Sequence, residues 1–133
     1  MTMAEPGRTS GPSKSTVPEL TVPELSVVAP VFDEADTIEE FHRRLSGALE
    51  GINGLDPGRC EMVYIDDGST DSSGALLAAI AADDPRVTVV TFSRNFGHQV
   101  AITAGLDQAR GDGVVVIDSD LQDPPELIGD LVA

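Results

Sequence analysis

From Leu25 onward, short continuous apolar runs alternate with stretches whose apolar residues recur every three or four positions. The run 25-LSVVAPV-31 predicts a strand, with Pro30 marking its end. Ile38, Phe41, Leu45 and Leu49 then keep helical spacing until Gly51 and Gly54 break it. Asp36 is placed to cap this helix, and Glu39 to complete a capping box. A second strand, 61-EMVYID-66, ends on 66-DDGSTD-71, where Thr70 or Asp71 caps a helix carrying Leu76, Leu77 and Ile80. The third strand, 87-VTVVTF-92, leads through 93-SRNFGHQ-99 into a helix that reaches about Arg110. Gly111 and Gly113 precede the fourth strand, 114-VVVID-118. Asp123 is then expected to cap a last helix with Pro124 at its first position.

Strands that are continuously apolar and separated by helices predict an α/β fold with a parallel sheet covered on both faces and right-handed crossovers. In such sheets ligands bind outside the carboxyl ends of the strands. The polar clusters 32-FDEAD-36, 66-DDGSTD-71, 93-SRN-95 and 118-DSDLQD-123 all fall there, so they converge on one edge. Residues 1–24 have a different character. They are rich in Pro, Ser, Thr and Gly, and the repeat 16-TVPEL-20, 21-TVPEL-25 reads as slippage in a tolerant segment rather than a recognition motif. We expect a disordered tail over 1–24, because such a segment buries too little apolar surface to offset its ordering entropy. The domain then occupies 25–133. Ala133 falls inside the last predicted helix, so a piece of a longer protein is expected.

Composition narrows the reading. The 133 residues suffice for one core, but with no Trp and one Tyr that core must be built from Val, Ile, Leu and Ala. Lys14 is the only lysine and the formal charge is −15, which argues against a nucleic-acid surface. An anionic ligand would need a metal ion, a helix N-terminus or one of the few arginines. The single Cys60 excludes an internal disulfide and suits a reducing compartment. No run of about 18 apolar residues spans a bilayer, and Met1 to Leu25 lacks the apolar core of a signal peptide.

The clusters carry distinct chemistry. Asp118 and Asp120, one residue apart on an extended strand end, point to the same side and repel unless a cation joins them. Mg²⁺ or Mn²⁺ suits such oxygen ligands, and Gln122 follows at the same alternation; an acidic turn is the plain alternative. In 66-DDGSTD-71, Gly68 permits a tight turn and Ser69 and Thr70 can satisfy helix N–H groups. That leaves Asp66 or Asp67 to accept from a nucleobase or ribose, unless both merely decorate the loop. Arg94 lies on the ligand edge, facing a site carboxylate or a ligand phosphate, with a surface ion pair as the alternative. His98 reads as a helix-face residue without chemistry.

Taken in order, 26-SVVAPVFDEADTI-38, 64-YIDDGSTDSS-73, 92-FSRNFGHQVAITAGL-106 and 116-VIDSDLQDPPE-126 resemble family-2 glycosyltransferases. The similarity covers about residues 25–133 and points to the polyprenyl-phosphate branch, of the dolichol-phosphate mannosyltransferase type. It implies a GT-A, Rossmann-like nucleotide-sugar-binding domain. Pro30, Phe32 and Glu34 would line the nucleotide pocket together with Arg94, and Asp66 or Asp67 would read the base. Asp118, Asp120 and Gln122 would hold Mg²⁺ or Mn²⁺ on the diphosphate, which gives Asp120 the catalytic part. The first motif departs from the usual Tyr-Asn-Glu, reading Phe32-Asp33-Glu34 here, so a Tyr hydroxyl contact is lost. The acceptor-side arginines and the membrane anchor of the family correspond to sequence beyond Ala133.

The implied reaction is inverting transfer of a sugar from a UDP- or GDP-linked donor to a polyprenyl phosphate. The metal would neutralise the leaving diphosphate, and the anionic acceptor needs no general base. The implied setting is cytoplasmic, at the inner face of the plasma membrane in a longer protein, with room for a homo-oligomer; the piece alone is expected to be inactive. Two alternatives stay open: transfer to a sugar hydroxyl in polysaccharide synthesis, and a non-catalytic nucleotide-binding fragment. A phospho-accepting receiver domain fits poorly, since it needs a lysine late in the sheet and Lys14 is the only one.

Overall fold

The computed structural model describes residues 1–4 and 22–132. The elements are β1 (Thr2–Ala4), β2 (Leu25–Val31), α1 (Ile38–Glu50), β3 (Cys60–Asp66), α2 (Ser73–Asp83), β4 (Val87–Thr91), α3 (His98–Gln108), β5 (Gly113–Val116) and α4 (Ile128–Val132). Single 3₁₀ turns at Pro57–Arg59 and Pro125–Leu127 precede β3 and α4. The sheet order is β1-β5-β2-β3-β4, with the last four strands mutually parallel, as the alternation predicts.

All seven residues of β2 pair with β3, from Leu25 with Cys60 to Val31 with Asp66. Both strands are buried along their whole length, which is why each reads as a continuous apolar run. Successive side chains serve opposite faces. Leu25, Val27, Ala29 and Val31 join the α1 stripe of Ile38, Phe41, Leu45 and Leu49. Val28 joins Val63, Ile65 and Val114 under Ala101 of α3. Gly105 lets α3 approach closely, since a Cβ there would collide with the Val28 side chain.

The end of β5 has a backbone cause. In a parallel ladder, alternate residues of β2 turn both N–H and C=O toward β5. Val28 is one of them, accepting from the Ile117 N–H at 3.0 Å. The next in that set is Pro30, which has no N–H to donate. Its carbonyl takes the Ser119 hydroxyl at 2.9 Å instead. Pairing stops at Val28 with Val116, so residues 117–118, expected as strand, already leave the sheet.

Several local expectations differ from the structure. Of the segment expected to be a disordered tail, Thr2–Ala4 forms an antiparallel edge strand on β5, and residues 5–21, with the first TVPEL copy, lie outside the described residues. The β5 edge exposes unpaired backbone groups that this strand satisfies. No capping box forms at α1: Thr37 occupies the cap position, and its hydroxyl donates to Glu34 Oε2 at 2.8 Å. The last helix does not begin at Pro124 either. Pro125 forces the residue before it out of the helical region, and Pro124 has ψ 128°. Asp123, rather than capping, accepts from the Met1 ammonium at 2.8 Å.

Between α1, α2 and β3 lies a partly buried polar relay. The Tyr64 hydroxyl and His42 Nδ1 are 2.6 Å apart, and His42 Nε2 lies 3.1 Å from Asp84 Oδ2. Arg86 closes on Asp84 at 2.9 and 2.7 Å. A carboxylate only accepts, so Nε2 carries the hydrogen toward Asp84, and the Tyr64 O–H donates to Nδ1. Burial pushes His42 below its ordinary value, outweighing the pull of Asp84, while Arg86 holds Asp84 well below the usual carboxylate range. A lowered histidine pKa means that the unfolded chain binds the proton more readily. Stability from this group is therefore present above about 6.5 and is lost as pH falls toward the lower folded value. Thermal melts should show the midpoint falling between pH 7.5 and 5.5. The slope in that window should flatten in His42→Gln, which cannot titrate.

Candidate nucleotide and cation site

The loops after β2 and β3 are laced together by short acidic and hydroxyl side chains. Asp33, at φ 53°, accepts from the N–H of Thr70 at 2.8 Å, and its own N–H donates to Ser69 Oγ at 2.9 Å. The Glu34 N–H donates to Ser73 Oγ at 2.8 Å and the Ala35 N–H to Asp71 Oδ2 at 3.1 Å. Asp71 also takes the Ser73 N–H at 2.9 Å, and its bonds to Ser73 lead the causes that hold it below its ordinary value. The 66-DDGSTD-71 turn therefore fixes the position of Glu34 as well as starting α2.

Asp66 and Asp67 are both buried at 3% exposure. Asp66 Oδ1 accepts from the Ser69 N–H at 3.0 Å and shapes its own turn. Asp67 reaches across to the segment between β4 and α3. Its carboxylate accepts from Asn95 Nδ2 at 3.0 Å, the Phe96 N–H at 2.8 Å and the Gly97 N–H at 3.1 Å. Gly68, at φ 72°, makes that crossing possible, since a Cβ there would collide with the backbone of Arg94 and Asn95. Asp67 thus fixes the segment from which α3 starts.

These loops enclose a cleft of about 370 Å³ at the carboxyl ends of the strands, lined in part by Pro30, Phe32, Glu34, Asp67, Asp118 and Asp120. Those six were expected in the site. Asp66 stands behind the wall, and Gln122 is exposed outside it. Arg94 also lies outside the lining; its guanidinium stacks over Phe96 at 4.0 Å, and among the described residues it forms no ion pair. The extended geometry assumed for Asp118 and Asp120 is replaced by a turn. Leu121 adopts φ 67°, and Asp120 Oδ1 accepts the Gln122 N–H at 3.1 Å.

The lining also contains Asn95, Gly97, His98 and Ser119, which the sequence reading left out. His98 departs furthest from expectation: its Nε2 lies 2.8 Å from Asp118 Oδ1. The polar string Gly97-His98-Gln99 at a predicted helix start was its only signal. Asn95 lay within a cluster already placed on the ligand edge.

Charge decides what the cleft accepts. Its lining holds the carboxyl groups of Glu34, Asp67, Asp118 and Asp120, and no lysine or arginine. Such a wall attracts cations and repels a bare diphosphate. Among the described residues no three His, Cys, Asp or Glu side chains are gathered as a complete metal cluster. Asp118 and Asp120 still supply two hard oxygen donors in one cleft. That fits an ion which keeps its other positions for water or phosphate oxygens.

Asp67→Ala removes the carboxyl acceptor of three partly buried donors. It should lower unfolding stability by about 2–3 kcal/mol, read as a lower urea midpoint with unchanged slope. Asp67→Asn should fall between that variant and the wild type.

The sequence profile described as "Glycosyl transferase family 2" matches residues 26–133. The Bacillus subtilis (strain 168) "Uncharacterized glycosyltransferase YkcC" is 45% identical over 109 residues, covering 82% of this chain and 32% of that protein. The "Bactoprenol glucosyl transferase" of Shigella phage SfV is 44% identical over 108 residues, covering 81% of this chain and 34% of its own. Among solved structures, the mannosyltransferase PcManGT from Pyrobaculum calidifontis, in complex with GDP-Man and Mn²⁺, superposes with TM-score 0.67 at 25% identity. That superposition covers 84% of this chain and 32% of the other. The chain therefore spans about a third of the length of the curated relatives it matches.

Proposed function

Because the chain belongs to glycosyl transferase family 2, we propose that its cleft binds a nucleotide-diphosphate sugar and serves inverting transfer of that sugar to a polyprenyl phosphate. The observation that carries this reading is the acidic cleft at the carboxyl ends of four parallel strands. The GT-A, Rossmann-like sheet brings the first three polar clusters and the Asp118 turn to one edge. Relatives named for bactoprenol support the acceptor class, and a neighbour holding GDP-Man supports the donor class.

Each residue then has a part. Pro30 and Phe32 form an apolar wall for the nucleoside, with Glu34 beside them. Of the Asp66 and Asp67 pair, Asp67 is the one that lines the cleft. A carboxylate has about four acceptor positions, so Asp67, with three donors in place, keeps capacity for one base N–H or ribose hydroxyl. Asp118 and Asp120 would hold Mg²⁺ or Mn²⁺, and Gln122 would join them only after a rearrangement of the turn at Leu121. Bound there, the ion supplies the positive charge that lets a diphosphate leave. The acceptor phosphate is already an anion, so the chain need not provide a base to deprotonate it. The same reading gives Arg94, which stacks over Phe96 outside the lining, a ligand phosphate as its partner. The reading places this domain at the inner face of the plasma membrane. No helix among the described residues is long and apolar enough to cross a membrane.

Transfer to a sugar hydroxyl is the second reading. It differs in requiring a base for the acceptor, and product analysis with a soluble sugar acceptor against a polyprenyl phosphate separates the two.

Titration calorimetry tests the donor site in the 133-residue chain. UDP-glucose and GDP-mannose, each with Mn²⁺ or with EDTA, should show binding of at least one that depends on the metal. Asp120→Asn should weaken that binding by at least about 1.4 kcal/mol, a tenfold loss. Equal affinity with and without Mn²⁺, or an unchanged Asp120→Asn, would sink the proposal.

A further inference from the structure

We propose that His98 is a positioning residue for the cation site, holding the Asp118 carboxylate in its ligating orientation; the inference rests on the metal reading of Asp118 and Asp120 given above. Three observations carry it. His98 Nε2 lies 2.8 Å from Asp118 Oδ1, and His98, Asp118 and Asp120 line the same cleft. Asp118 accepts no other hydrogen bond among the described residues, so Oδ2 keeps its lone pairs. The two residues also come from different elements, so their bond joins the turn after β5 to the start of α3.

Asp118 sits just past the last β2–β5 pair, between Ile117, whose N–H donates to Val28, and Ser119, whose hydroxyl donates to Pro30, so its backbone is held while its half-exposed side chain is free to turn. His98 is anchored. It is the first residue of α3, directly after the Phe96 and Gly97 N–H groups that Asp67 holds. Further along the helix, Ala101 and Gly105 are buried against the sheet. A carboxylate that no other hydrogen bond orients is therefore tied to an imidazole on the first turn of a packed helix. A carboxylate can only accept, so Nε2 carries the hydrogen in this bond whether the ring is neutral or charged.

A plain ion pair is the alternative account. Both side chains are about half exposed, at 57% and 48%, and exposed pairs of this kind contribute little to folding. The two accounts separate on metal affinity. Outer groups that orient a metal-binding side chain typically change affinity 10–100-fold when removed, whereas removing a solvated contact that does not orient Asp118 leaves affinity unchanged.

The experiment titrates Mn²⁺ alone into the 133-residue chain, reading bound ion by electron paramagnetic resonance, with thermal melts in parallel. His98→Ala should weaken Mn²⁺ binding about 10–100-fold with the melting midpoint unchanged. His98→Gln, which keeps an N–H donor near that position, should recover most of the loss. Asp118→Asn should lose binding altogether. If His98→Ala binds Mn²⁺ as well as or better than the wild type while Asp118→Asn does not bind, the positioning role is overturned and the metal reading stands. If both His98 variants lose binding equally, the imidazole is itself a ligand and the positioning role is again overturned. If Asp118→Asn binds normally, the metal reading fails and this inference fails with it.

Discussion

Along the seam between β2 and β5, the residues of β2 that face β5 supply both an N–H and a C=O, until the series reaches Pro30. With no N–H there, the ladder has nothing to continue on. The Ser119 hydroxyl takes the orphaned Pro30 carbonyl, and the chain between Ile117 and Leu121 turns out over the strand ends. The position of Asp118 and Asp120 follows from this missing donor. Had β5 continued in register, both carboxylates would belong to an ordinary strand. One proline thus converts a sheet seam into the rim of a cleft.

The rest of the cleft is held by carboxylates used as acceptors for backbone N–H groups. Asp33, Asp66, Asp67 and Asp71 each accept at least one such bond. That is an economical use of acidity in a chain of net charge −15. Their oxygens tie three loops to fixed backbone N–H dipoles without help from lysine or arginine. Glu34, Asp118 and Asp120 then remain to face the cleft, alongside the partly engaged Asp67. The same composition that makes the cleft repel a bare anion also makes it a natural place for a divalent ion.

The other end of the sheet also carries a cleft, of about 320 Å³, but its charged groups are paired: Arg59 with Glu24, Arg86 with Asp84 and Arg110 with Glu61. Glu61, buried at 6% exposure, accepts from the Ser26 hydroxyl at 2.6 Å and the Arg110 N–H at 2.6 Å. Gly111 fits against Ser26, its N–H donating to Ser26 Oγ at 2.8 Å. Polar groups there satisfy one another, whereas at the carboxyl ends several face outward. This asymmetry is what distinguishes the ligand edge from a merely structural one.

Much of this was legible in the residues themselves. The strands expected over 25–31, 61–66 and 87–92, their parallel arrangement, the α1 stripe and the four polar clusters rest on local properties. A continuous apolar run or a helical repeat declares its burial whatever its neighbours are. The rule that ligands bind at strand ends places the polar clusters at the cleft, while Pro30, Phe32 and Glu34 are singled out as pocket residues by the family resemblance. Side-chain partnership across distant loops was not legible. That Asp67 reaches Phe96, that Asp123 meets Met1 rather than capping a helix, that Thr2–Ala4 completes the sheet and that His98 touches Asp118 all depend on segments far apart in sequence. Periodicity records which face of an element is buried, but a hydrogen bond between loops depends on where two backbones end in space, and only the folded sheet sets that distance.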